Sequence, residues 1–159
     1  MTPTTDERIA SVIRSLTEVI LPHLPPEASL AQEQVQLAIG HLQILRLQLD
    51  AIPGFEAEEL ADTRKLAEEL VGAIEGGTAT QAALGTVKSV LGDPGPDVRA
   101  NLTAVNRAVE TLVQAVSVDG AASAKAHLFK VILAHEEARV EKDRRWFLPY
   151  GFDTMEVAP

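Results

Sequence analysis

The sequence predicts an all-α protein: an antiparallel bundle of five to six helices with a C-terminal aromatic tail. Three observations predict it. Apolar residues recur at helical spacing along most of the chain. Proline and glycine fall in short clusters between the periodic stretches, at 22–26, 53–54, 76–77 and 92–96. Nothing alternates apolar and polar over more than a few positions, so no strand is expected. Mostly short connections make sequential helices antiparallel neighbours.

The first helix opens at a capping box, Thr4 with Glu7, where side chain and backbone can bond reciprocally. Ile9, Val12, Ile13, Leu16, Val19 and Ile20 then form its apolar stripe, and Pro22, Pro25 and Pro26 end it. Ser29 with Gln32 reads as a second capping box, opening a helix over about 29–52. Val35, Ala38, Ile39, Leu42, Leu45, Leu49 and Ile52 fill one of its faces, and Leu37, Ile44 and Leu47 widen the arc. A helix apolar over most of its circumference is expected at the centre of a bundle, so this one is predicted to be the most buried element. Gly40, outside the main stripe, suggests a close helix approach.

The third helix is expected over about 55–75, ending at Gly76 and Gly77. It carries seven acids against two bases, which supplies more than half of the net charge of −9. A solvated face is the plain reading of that cluster. Thr78 with Gln81 reads as a third capping box, opening a shorter helix over about 78–91. The fifth helix carries Val98, Leu102, Val105, Val109, Leu112 and Val116, whose 4-3-4-3-4 steps make a heptad stripe. That stripe is either an intramolecular core face or a dimer seam, the former being preferred. Asp119 and Gly120 precede a last helix over about 121–146. Residues 1–147 read as one helical domain, and 148–159 as a tail packing on the bundle or on a second subunit.

Several function classes are disfavoured. The acidic balance repels nucleic acid. Apolar runs are far shorter than a membrane span, and residues 1–8 lack the basic and apolar regions of a signal peptide. A soluble, cytoplasmic protein is expected, and the lack of cysteine agrees with a reducing compartment. Nine arginines against five lysines in an alanine-rich chain suggest a GC-rich bacterial genome. No Gly-rich phosphate loop or Gly-x-Ser-x-Gly elbow is present, and no Glu-x-x-His pair suggests a di-iron centre. No cofactor and no metal are expected.

The candidate site lies on the last helix. Ala121, Ala124, Leu128, Val131 and Ile132 share one face, and the same face continues into His135, Arg139 and Asp143, with Glu136 beside them. Trp146 then returns to it. The charges either project past the bundle end into solvent or line a polar pocket met by another element. Four of the six aromatics, Trp146, Phe147, Tyr150 and Phe152, fall within seven residues and suggest a cap over residues 135–139.

Three readings follow. The first is a non-catalytic accessory or interaction protein, a homodimer. The second is a bundle that binds a small apolar or acyl-type ligand, oriented by His41, His135, Glu136, Arg139 and Asp143 and covered by Trp146 or Tyr150. The third is a metal-dependent bundle enzyme using His41, His135 and Glu136.

Overall fold

The Thr4 hydroxyl accepts a bond from the Glu7 amide at 3.2 Å, and the Glu7 carboxylate accepts one from the Thr4 amide at 2.7 Å. This capping box opens α1, Thr5–Arg14, in the computed structural model, which describes residues 2–93 and 95–147. The chain continues as a π-helical segment, Ser15–Ile20, and a 3₁₀ turn, Leu21–His23. Pro22 has no amide hydrogen to donate and its ring crowds the carbonyl four residues back, which favours a change of hydrogen-bond register there. The His23 ring closes the end, its Nδ1 standing 2.6 Å from the Val19 carbonyl oxygen.

α2 is Ser29–Gln48, α3 Ile52–Ala73, α4 Thr78–Gly92, α5 Val98–Asp119 and α6 Ala122–Phe147. The protein is an all-α helical bundle of six helices among the described residues. α3 starts three residues earlier than the sequence suggests, because Pro53 fits the first turn of a helix, where no amide donor is needed. Two of the three expected capping boxes are replaced. At α2 the cap is Ala28, and the Gln32 side-chain Nε2 donates instead to the Pro25 carbonyl at 2.9 Å. At α4 the cap is Gly77, and the carboxylate that serves the helix start comes from Asp119, about forty residues on.

The chain forms two compact units, one up to Pro53 and one from Gly54 onward. In the first, α1 and its π-helical continuation pair with α2, and Arg46 on α2 grips Asp6 on α1 through two bonds of 2.5 and 3.0 Å. The apolar side chains of α2 that turn inward, Val35, Ala38, Ile39 and Leu42, are half-buried.

The second unit holds every buried apolar residue of the described chain. Leu66, Ala67, Leu70 and Ile74 come from α3 and its end, Ala83, Leu84 and Val87 from α4, and Ala124, Leu128 and Val131 from α6. α5 supplies Val105, Ala108, Val109, Leu112 and Val116. From Val105 to Val116 the α5 heptad stripe is therefore a core face, while Val98 is exposed and Leu102 half-buried. Each fully buried leucine or valine contributes about 1.5–3 kcal/mol, so this one cluster carries the unit.

The α3–α4 and α5–α6 loops are tied together. Gly76 bridges Gly120, the Gly77 amide donates to the Asp119 carbonyl at 3.0 Å, and the Ala121 amide donates to the Glu75 carbonyl at 3.1 Å. Local crowding requires glycine at 76 and 120, and the facing loop requires it at 77, where a Cβ would stand 2.6 Å from Asp119 Oδ2. A Cβ at Gly76 would stand 2.5 Å from Thr80 Oγ1, and one at Gly120 2.6 Å from the Val116 carbonyl oxygen. The Asp119 carboxylate accepts bonds from the Ala79 amide (2.7 Å), the Thr80 amide (3.0 Å) and the Thr80 hydroxyl (2.6 Å). The Thr80 hydroxyl bond, aided by the two amides and Lys125, holds the Asp119 carboxyl below its ordinary range against partial desolvation.

One sequence expectation fails outright. α2 is the least buried of the long helices: only Gln48, at its last turn, is buried. A Cβ at Gly40 would meet nothing within 4 Å, so no close approach occurs there. Two paired helical segments have too little surface to enclose a helix that is apolar on several sides.

Candidate functional site

α3 and α6 run antiparallel in the second unit and carry the same gradient of side chains. On α3, Leu70 and Leu66 are buried, Asp62 and Glu59 follow toward the N-terminus, and Phe55 ends the stripe. On α6, Leu128 and Val131 are buried, His135, Arg139 and Asp143 follow toward the C-terminus, and Trp146 ends the stripe. Both helices thus turn from apolar to charged to aromatic toward one end of the unit. The result is a groove of about 240 Å³ lined by Phe55, Glu59, Asp62, Val131, His135, Arg139, Lys142 and Asp143, among others.

The charges in this groove are largely matched. Arg139 stands 3.8 Å from Glu59 across the helices and 3.9 Å from both Glu136 and Asp143 on its own helix. Lys142 reaches Asp62 at 3.0 Å and Glu58 at 3.4 Å. Its ammonium also lies 5.4 Å from the centre of the Phe55 ring, a cation–π contact. Phe55 and Trp146 meet with ring centroids 4.4 Å apart, tilted by 30°. Thr63, the only hydroxyl side chain lining the groove among the described residues, donates to the Glu59 carbonyl at 2.9 Å.

The sequence-selected residues divide as follows. His135, Arg139 and Asp143 line the groove together, and Glu136 joins them through Arg139. Trp146 adjoins it through Phe55. His41 stands on α2 in the first unit and is exposed. Tyr150 and Phe152, and with them the expected cap over residues 135–139, lie outside the described residues. Phe55, Glu59, Asp62 and Lys142 escaped the sequence reading. Their signal was present, since Phe55, Glu59, Asp62 and Leu66 keep a 4-3-4 spacing that mirrors the stripe on α6. Among the described residues, no three His, Asp or Glu side chains gather as a metal ion would require.

The first unit offers a different kind of surface. Leu30 is 69% exposed, Leu37 50%, Leu45 48% and Leu47 69%, all on α2. Val12 in α1 and Val19 in the π-helical segment are also about half exposed. Among the described residues, no apolar side chain of this unit is fully buried.

The class that the fold defines is an all-α bundle, and no helix among the described residues is long and apolar enough to cross a membrane. The chain matches no protein-family model, no curated protein and no solved structure.

Proposed function

We propose that the protein is a non-catalytic interaction protein, whose second unit is the folded scaffold and whose helix α2 presents the docking surface. One observation carries this reading: the buried core lies wholly in the second unit, while four leucines of one helix in the first unit are about half exposed or more. Exposed apolar residues are ordinary, and α6 shows Phe129, Leu133 and Val140 as well, but those of α2 stand in a unit with no buried apolar side chain among the described residues. The groove between α3 and α6 supports a non-catalytic role, because Arg139 and Lys142 are already held by carboxylates and Thr63 by a carbonyl. The cysteine-free composition agrees with work in the cytoplasm.

The triple variant Leu30→Glu, Leu37→Glu, Leu45→Glu tests the reading. It is expected to melt within about 2 °C of the parent, because exposed positions carry little packing energy. It is also expected to lose the binding of an apolar dye such as bis-ANS that the parent shows. A variant that fails to fold would place these leucines in a core and end the proposal.

A second reading, a small apolar or acyl-type ligand in the α3–α6 groove, rests on the Phe55–Trp146 pair beside it. It ranks behind the first because the charged groups around that pair already hold one another, Arg139 with Glu59 and Lys142 with Asp62. An acyl-chain series that shifts neither the emission of Trp146 nor the melting temperature would dismiss it.

A further inference from the structure

Resting on the docking-surface reading, we infer that the occupant of the α2 face is a second copy of this chain, with the two α2 helices side by side and parallel about a twofold axis. The exposed side of α2 carries a regular pattern. Leu30, Gln34, Leu37, His41 and Ile44 follow one another in steps of four, three, four and three. The first four are exposed and Ile44 is half-buried. The inward side of the helix is a separate stripe, Val35, Ile39 and Leu42, half-buried in the first unit. α2 therefore carries two faces, and the outer one has the spacing of a helix–helix seam.

The composition of that seam selects the partner. Leucine or isoleucine at 30, 37 and 44 alternates with neutral polar residues at 34 and 41. In a parallel twofold pair, like positions meet: leucine packs on leucine, and the Gln34 amide faces its own copy. An amide is donor and acceptor at once, so two glutamines can satisfy each other as a leucine and a glutamine cannot. A polar layer of this kind fixes register in two-stranded coils.

Charge points the same way. Each chain carries a net −9, so two copies repel unless they meet where charge is absent. α2 has only Glu33 and Arg46 as fixed charges in twenty residues, and Arg46 is turned to Asp6. No lysine or arginine lies on the outer face to hold an anionic lipid surface or an acidic partner.

Area sets the strength. A helix of 20 residues is about 30 Å long, and a strip about 10 Å wide along it is well under the roughly 800 Å² per partner of a standard interface. The dimer is accordingly a dynamic one that forms with rising concentration.

The chain has no cysteine, so single thiols can be placed at will. Leu37→Cys is compared with Ser123→Cys, an exposed polar position on α6 in the second unit. Maleimide labelling at high dilution reads exposure, and a short bismaleimide at high concentration reads proximity between copies. Both thiols are expected to label quickly. The Leu37→Cys chain is expected to cross-link to a dimer several-fold more than the Ser123→Cys chain. The parent is expected to gain mass in a sedimentation concentration series, and Leu37→Glu to abolish the gain. Fast labelling at 37 without cross-linking above the control overturns the second copy and leaves the docking face standing. Slow labelling at 37 without cross-linking overturns both.

Discussion

Replacing Leu112 and Leu37 by alanine, one at a time, separates the two units energetically. Leu112 is fully buried at the centre of α5, with Val105, Val109 and Val116 on the same face. Truncating such a leucine costs about 2–5 kcal/mol, the lost transfer energy plus the cavity left behind. The close packing of α4 on α5 limits collapse into that cavity, which favours the upper half of the range. For a chain of this size each kcal/mol moves the melting temperature by about 2–4 °C, so Leu112→Ala lowers it by roughly 5–20 °C. Leu37 is half exposed and sits mid-helix, where alanine is at least as good a helix former. Leu37→Ala is expected to change stability by no more than about 0.5 kcal/mol, or about 2 °C. The assay is thermal unfolding by circular dichroism at high dilution. A Leu37→Ala loss as large as that of Leu112→Ala would refute the reasoning, because it would put α2 inside a core.

Four further outcomes are expected. Asp119 has its folded pKa lowered, chiefly by the Thr80 hydroxyl, so its stabilising contribution is full above the ordinary value of 3.8 and fades as pH falls through the lowered value. Melting curves across that acid range should converge for the parent and Asp119→Asn, and parallel curves would remove the carboxylate from the account. Gly120→Ala drives a Cβ to within 2.6 Å of the Val116 carbonyl oxygen and should cost about 1–3 kcal/mol by denaturant titration; an unchanged midpoint would contradict the crowding at the end of α5. Phe55→Ala should shift the emission of Trp146 to the red by uncovering the indole, while Arg139→Ala, which breaks only half-exposed ion pairs, should cost under about 1 kcal/mol.

What the sequence made legible was periodicity, and what it hid was the neighbour. The α5 stripe and the charged continuation of the α6 face were both readable, because 3.6-residue spacing assigns side chains to a face whatever packs on it. The same spacing could not say that α3 meets the α6 charges with Glu59 and Asp62, although the mirrored stripe was there to be found. α2 shows the converse. Its apolar circumference implied the centre of a bundle, but burial needs partner surface, and the first unit has only one other helical run to offer. The cap of α4 was out of reach for a different reason. Thr78 and Gln81 looked like a local box, whereas the carboxylate that binds the helix start comes from Asp119, beyond any local pattern.

Hydrogen exchange of the whole chain at high dilution tests the division between scaffold and docking helix most directly. The amides of α5 between Val105 and Val116, whose core-facing side chains are buried, should exchange only through global unfolding. Those of α2, flanked by half-exposed leucines and held mainly by α1 and its continuation, should exchange orders of magnitude faster. Equal protection of α2 and α5 would mean that the first unit shares the core, and the account of α2 as an open face would be wrong.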